Sequence, residues 1–322
     1  MRVQPFPTHI QIQTTTGCGA DCSICPHPVK SPSWTNGLMT DALFERIVRQ
    51  LAGRRIDYLC PYLMADGLSD KKIFDRIDRL RDELPETHIE LSTTGMYLAP
   101  RLADRLIEAP LSELRISSHG ITAEQYARTM PGVNFDRAMN NILRFIDRWR
   151  DRKPYDLSVV TLWGLWPRDI EEEIEAFWAA RGVSLSKWRV VSRADQVDLT
   201  VFGESPADPT PFSRRSKPPY RCRFNRDTQW MHILSDGRVT LCCMDYGQQV
   251  IVGDASRQSL DEIWTGSAYA EARDRVRRDG DSFICDQCEW RVSESVLRAM
   301  DDECHRPSKA DRLNPTVVGS FG

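Results

Sequence analysis

Along the first 190 or so positions the apolar residues switch repeatedly between a period of two and a period near four. His9-Ile-Gln-Ile-Gln-Thr-Thr15 alternates apolar and polar side chains, as a half-buried strand does. Behind Thr40, a natural helix cap, Leu43, Phe44, Ile47, Val48 and Leu51 fall on one helical face that stops at Gly53. Ile56 to Met64 reads as a second strand, followed by a helix carrying Ile73, Ile77 and Leu80. His88–Leu91, Leu111–Ser117, Asp156–Leu162 and Trp188–Val191 read as further strands. Helices at about 101–108, 122–150 (broken near Pro131-Gly132) and 169–181 separate them. Six strand–helix units in succession predict an α/β fold with a parallel sheet and right-handed crossovers.

Residues 193–220 lose this rhythm. Asp, Ser, Pro and Arg dominate, as in Glu204-Ser-Pro-Ala-Asp-Pro-Thr-Pro, and predict a loop-rich linker. Beyond it, Gln229–Leu234 and Arg238–Leu241 flank Ser235-Asp236-Gly237, a hairpin signal. Ser259-Leu-Asp-Glu262 is a capping box opening a helix with Ile263 and Trp264. The pattern therefore divides the chain into an α/β domain over 1–192, the linker, a small α+β domain over 221–306 and a polar tail over 307–322. No internal repeat is present.

At 322 residues there is enough chain for one large domain and one smaller one. A net charge of −3 gives no overall pull toward nucleic acid or an anionic membrane. Arg214-Arg215 and the basic run from Arg275 to Arg278 are short and read as solvated faces. No apolar stretch approaches the roughly 20 residues of a membrane span, and Met-Arg-Val-Gln-Pro is no hydrophobic signal segment. A cytoplasmic location is the expectation. In that reducing compartment ten cysteines argue for metal ligation over disulfides.

The cysteines fall into two groups. Cys18, Cys22 and Cys25 form a C-x3-C-x2-C array just after the first strand. Three thiolates on one short loop hold three corners of a [4Fe–4S] cluster and leave the fourth iron open, as catalysis requires. A zinc site completed by His27 is one alternative, and scattered structural thiols are another. The second group is Cys222, then Cys242 at the end of Gly237-Arg-Val-Thr-Leu-Cys242, then Cys285-Asp-Gln-Cys288, with Cys243 as an alternative to Cys242. Four thiolates close a site with no open position, and spacing alone leaves zinc and [4Fe–4S] both possible.

The first array resembles the signature of the radical S-adenosylmethionine (radical SAM) superfamily, although Ile24 stands where that family usually has an aromatic residue. The later text, Cys243-Met-Asp-Tyr246, Gly253-Asp254 and Ser259 to Trp264 before the final C-x2-C pair, resembles the SPASM/twitch extension of those enzymes. The longer SPASM pattern continues with more cysteines, whereas only Cys304 follows Cys288. The chain is thus similar to the twitch form, as in 2-deoxy-scyllo-inosamine dehydrogenase-like enzymes.

That resemblance implies a partial (β/α)6 barrel with a small twitch domain, S-adenosylmethionine, and two [4Fe–4S] clusters, one binding S-adenosylmethionine through Cys18, Cys22 and Cys25 and one auxiliary. It implies that a reductant such as flavodoxin or ferredoxin starts the reaction and that a 5′-deoxyadenosyl radical takes hydrogen from the substrate. It assigns cofactor contacts to Asp66 in Met64-Ala65-Asp66-Gly67, to Thr94 and Gly95, to Ser117 and Ser118, and to Ser192 and Arg193. All sit where parallel strands end, the rim at which such sheets bind ligands. Arg115 and His119, Trp163 and Trp166 are further candidates for substrate contact or plain packing. Cys243 and Cys304 are the candidate hydrogen donors if a substrate radical is quenched, giving epimerisation; electron transfer to the auxiliary cluster would give oxidation. A barrel that starts almost at residue 1 favours a small polar substrate, a sugar, aminocyclitol or nucleoside. A peptide substrate and radical decarboxylation are the alternatives.

Overall fold

The computed structural model describes residues 3–27, 37–202, 217–278 and 283–297. The alternating segment forms β1 (His9–Ile12), and the loop after it leads to α1 (Asp41–Leu51), where the Thr40 hydroxyl accepts from the Leu43 amide. The repeat continues through β2 (Tyr58–Cys60), α2 (Ile73–Glu83), β3 (His88–Thr93), α3 (Pro100–Glu108) and β4 (Glu113–Ser117). Then come α4 (Ala123–Thr129), α5 (Phe135–Arg152), β5 (Asp156–Trp163), α6 (Arg168–Ala179) and β6 (Ser184–Arg189). The break between α4 and α5 falls at Pro131-Gly132, where the sequence predicts it. β1 to β6 pair side by side in parallel, in chain order. This is the open, six-stranded (β/α) half of a barrel.

The later region comprises β7 (Tyr220–Cys222), α7 (Arg226–Gln229), β8 (Trp230–Ile233), β9 (Arg238–Thr240), β10 (Ile251–Asp254), α8 (Leu260–Thr265), α9 (Ser267–Arg277) and β11 (Arg291–Ser293). The hairpin forms as predicted, but β8 also pairs in parallel with β1, so β8, β9 and β10 extend the barrel sheet to nine strands. The boundary at 192 therefore divides the chain by chemistry while the sheet runs across it. Among the described residues β6 and β10 are its edge strands.

The helices bury aliphatic stripes against the outer face of the sheet; α5 contributes Met139, Ile142, Phe145 and Trp149. Removing one such aromatic costs about 3–5 kcal/mol. Gly95, at φ +80°, lets α5 come close, since a Cβ there would lie 2.5 Å from Ile142. The inner face is polar. At its base the rings of His9 and Trp230 lie 4.7 Å apart and those of Tyr58 and His88 stack at 4.8 Å. Above them Gln11, Cys60, Glu90, Arg115, Ser158 and His232 are all buried. Arg115 pairs with Glu90 at 3.0 Å and Glu113 at 2.8 Å, while the Tyr58 and Tyr62 hydroxyls donate to Glu90. Arg115, a candidate for substrate contact, is thus committed to holding the barrel interior together. Among the described residues no helix is long and apolar enough to cross a membrane.

Candidate functional site

The first cysteine loop leaves β1 and is held from several sides. Thr14 donates to the Pro61 carbonyl at 3.0 Å, and buried Arg76 donates to the carbonyls of Thr14 and Met39. The Gly132 amide donates to Ala20 and the Ser23 amide to Thr129, so the α4–α5 break cradles the loop. That cradle fits closely: a Cβ on Gly132 would lie 2.4 Å from the Gly19 carbonyl. His27 is buried with Nε2 on the Thr16 carbonyl at 2.9 Å, which commits that nitrogen to bracing the loop.

Cys18, Cys22 and Cys25 line one cavity at the C-terminal ends of the strands, together with Asp66, Thr94 and Ser117. Burial pushes the Cys18 thiol up to about 11, and burial with the neighbouring Cys25 and Cys18 pushes Cys22 well above its usual range. Thiols that repel one another as free anions are the donor set an iron–sulfur cluster relieves. Among the described residues no three His, Cys, Asp or Glu side chains gather as a single ion would draw them.

Asp66 faces this cavity but is fully engaged. Its carboxylate accepts from the Leu68 amide at 2.9 Å, the Thr93 hydroxyl at 3.1 Å, and the Thr94 amide and hydroxyl at 2.8 and 2.7 Å. Four donors match the acceptor capacity of a carboxylate. Burial raises its pKa and these hydrogen bonds oppose the rise. Asp66 thus ties the end of β2 to the end of β3, and Thr94 is turned toward it. Gly95 does not line the cavity; it admits α5. Ser118 turns away, donating to the Gly120 carbonyl and accepting from Tyr126. His119 does line the cavity; burial and then Arg193 lower its pKa to about 4, so it is neutral, and among the described residues its buried Nδ1 has no hydrogen-bond partner. Trp163 lies under the Lys187 ammonium, and Trp166 under the Arg128 guanidinium.

Ser192 donates to Glu289, whose other oxygen takes the Ala194 amide at 3.3 Å. Arg193, Ala194 and Asp195 are consecutive left-handed residues at φ 51°, 60° and 59°. Each costs on the order of 1–3 kcal/mol, a strain typical of functional sites. The turn aims Arg193 at the first loop, where it donates to the Ile24 carbonyl at 3.1 Å. Glu289, directly after Cys288, secures it; a single glutamate beside a cysteine pair carries no sequence signal.

The second group is assembled from afar. β11 pairs with β7 so that Arg291 lies opposite Cys222, and the Arg223 amide donates to the Trp290 carbonyl. This brings the Cys285–Cys288 turn against Cys222. Burial, then Asp227, raises Cys222 to about 11; burial, then Cys222, raises Cys288 to about 12. Cys242 joins from the end of β9, its thiol raised by its hydrogen bond to Cys243 and by burial. Burial also acts on Cys243, but the Cys242 thiol, Arg226 and Arg193 outweigh it and pull Cys243 down. The Arg226 guanidinium donates to the Cys243 sulfur. Cys243 lines the first cavity, which sets it apart from Cys242 as a group facing the reaction space. Cys304, the other candidate donor, and the tail lie outside the described residues.

Tyr246 joins the two regions: its hydroxyl accepts from the Cys25 thiol at 3.5 Å. A second cavity of about 230 Å³ adjoins the first and shares Ile24, Trp188 and Arg193 with it. Its far wall is Phe224, Met244 and Trp290, from the auxiliary region.

Two family models match the chain: Radical SAM superfamily over residues 12–179 and SPASM, an iron–sulfur cluster-binding domain, over residues 222–289. No curated protein matches. Among solved structures, BtrN in complex with AdoMet and 2-DOIA is 14% identical at a TM-score of 0.57, covering 92% of this chain and 96% of its own. Streptococcus suis SuiB bound to the precursor peptide SuiA is 14% identical at 0.65, covering 89% of this chain and 72% of its own. The AdoMet complex of anSMEcpe is 13% identical at 0.60, covering 88% and 83%. At such identities these structures establish the fold. With more than half of its residues inside the first model, the chain belongs to the radical SAM superfamily, whose domain binds S-adenosylmethionine and a [4Fe–4S] cluster, and it carries a SPASM domain of the kind that binds auxiliary clusters.

Proposed function

We propose that this enzyme takes a hydrogen atom from a small polar substrate held between its two cysteine regions, and that the reaction ends in oxidation. The observation that carries the reading is the cavity that shares Ile24 and Arg193 with the cavity of the first three cysteines and is walled opposite by Phe224, Met244 and Trp290. A molecule bound there touches both regions at once. When bound, the cofactors supply hydrogen-atom abstraction on one side and an electron acceptor on the other. The protein's share is to hold and orient. Cys18, Cys22 and Cys25 are the proposed ligands of the first cluster; Cys222, Cys242, Cys285 and Cys288 those of the second. Thr94 and Ser117 contact S-adenosylmethionine from the rim, Asp66 holds Thr94 in place, and Arg193 closes the space against water.

A peptide reading has one observation in its favour: among the described residues β6 is an edge strand beside the cavity, and extended peptides add to such edges.

The test begins with iron and sulfide counts after anaerobic reconstitution. About eight irons should fall to about four in the Cys18→Ala/Cys22→Ala/Cys25→Ala variant, with 5′-deoxyadenosine formed by the native chain alone. About four falling to none, with zinc retained, would remove the electron acceptor and with it the oxidative outcome. Candidate substrates deuterated at defined carbons then identify the position attacked, because label must appear in 5′-deoxyadenosine.

A further inference from the structure

The second cavity has an unbalanced charge. None of its lining residues is acidic, whereas five are basic. Lys187 is neutralised by Glu175 at 2.7 Å, and Arg193 is spent on the Ile24 carbonyl and the Met244 sulfur. Arg189 and Arg223 differ. Among the described residues neither has a carboxylate within ion-pair reach, and Arg223 lies only over the Trp290 ring, at 5.8 Å. At the mouth Arg189 is exposed and Arg223 is half-buried. Behind them the walls are flat and apolar: Trp188, Phe224 and Trp290, the last two packed edge to face at 5.0 Å. The volume, about 230 Å³, lies just under the roughly 300–1,000 Å³ of small-molecule sites. It is too small for more than a residue or two of a peptide.

Guanidinium groups without acidic partners, set over aromatic walls, are the usual recognition chemistry for an oxyanion on a flat apolar body. A cationic amine would meet like charge and no carboxylate. We infer that the substrate carries a carboxylate or phosphate, held by Arg189 and Arg223, on an unsaturated or aromatic body seated against Trp188, Phe224 and Trp290. This rests on the functional reading above and narrows it: among the small polar classes it selects an acidic molecule, such as a nucleotide or an aromatic acid, and sets aside the aminocyclitols.

A binding assay that needs no turnover tests the inference on the anaerobically reconstituted protein with S-adenosylmethionine present. Two fluorescent probes share one ring system: 8-anilinonaphthalene-1-sulfonate, an anion, and N-phenyl-1-naphthylamine, its neutral counterpart. The anion should bind about ten- to a hundredfold more tightly, and Arg189→Gln/Arg223→Gln should erase that preference without weakening the neutral probe. Competition separates the anion types, because benzoate and phenyl phosphate carry the same ring. Whichever displaces the sulfonate probe at lower concentration names the group, and benzyl alcohol and benzylamine should fail. Equal affinities for the two probes, an unaltered anion preference in the double variant, or displacement by benzylamine as readily as by benzoate would each overturn the inference. So would displacement by an acidic octapeptide alone, which would assign the cavity to a peptide. Formation of 5′-deoxyadenosine is scored separately. Its absence defeats the functional reading and leaves the charge preference standing, and the converse result defeats only the charge preference.

Discussion

The two cysteine regions bring their thiols together by opposite means. The first gathers three thiols within eight consecutive residues, on a loop whose shape is dictated by backbone contacts at Gly132, Thr129 and Thr16. The second, as proposed, would draw its four from residues 222, 242, 285 and 288, and depends on the pairing of β7 with β11 and on the β8–β9 hairpin that places Cys242. Their electrostatics differ as well. The first faces Asp66, already saturated with donors, whereas the second is banked with Arg226 and Arg291. A local site depends on loop shape, a dispersed one on the surrounding fold.

The sharpest break in this comparison is Cys285→Ser. It should cost about four irons while the electron paramagnetic resonance signal of the first cluster, and its response to S-adenosylmethionine, persist. Loss of both signals would mean that the first site cannot form without the second.

Gly132→Ala attacks the first region through its support. The new Cβ would lie 2.4 Å from the Gly19 carbonyl and 2.7 Å from the Ala20 backbone. Expected are a loss of about 1–3 kcal/mol in thermal or denaturant unfolding and poor retention of the first cluster, with the second retained. A variant that keeps all its iron and its melting temperature would show that the loop does not need this cradle.

Asp66→Asn places an amide where one carboxylate accepts from four donors, so at least one donor is left facing an N–H. The expected cost is about 1–3 kcal/mol, together with weaker S-adenosylmethionine binding by equilibrium dialysis, because Thr94 loses its anchor. An unchanged affinity would separate Asp66 from the cofactor rim.

The smallest effect is expected from Tyr246→Phe, which removes the contact between the second region and Cys25. As a deprotonated ligand Cys25 could no longer donate, so the hydroxyl would turn to donate to its sulfur, and hydrogen bonds to ligand sulfur stabilise the reduced cluster. The midpoint potential of the first cluster should therefore shift slightly downward in a redox titration, with iron content unchanged. An upward shift would mean that the hydroxyl is oriented away from the sulfur.

What the sequence reveals follows the same division. Thr40, the Ser259–Glu262 capping box, the Ser235-Asp236-Gly237 turn and the C-x3-C-x2-C array are local devices, and each appears where the pattern predicts it. Long-range features are hidden. β6 runs over Ser184–Arg189, ahead of the predicted Trp188–Val191, because its inward face meets a polar interior and lacks an apolar run. β2 stops at Cys60, short of the predicted Met64, because the chain beyond it leaves the sheet to line the cavity at Tyr62 and Met64. Alternation in Trp230–Ile233 shows a strand but not a second, parallel neighbour in β1. The saturation of Asp66 by Thr93 and Thr94, and the hold of Glu289 on the turn at Arg193, depend on contacts between distant elements that no local spacing encodes.

The pairing of β1 with β8 also sets an order of events at the ribosome. β1 emerges among the first strands made, yet its second neighbour follows more than two hundred residues later. With synthesis proceeding at roughly 5–20 residues per second, one side of β1, and the cysteine loop that continues from it, waits on the order of ten seconds or more for its permanent cover. During that interval the nascent chain presents an unpaired strand edge, a docking surface for chaperones and for aggregation alike. Installation of iron is therefore best matched to the released chain, after β8 has sealed the seam.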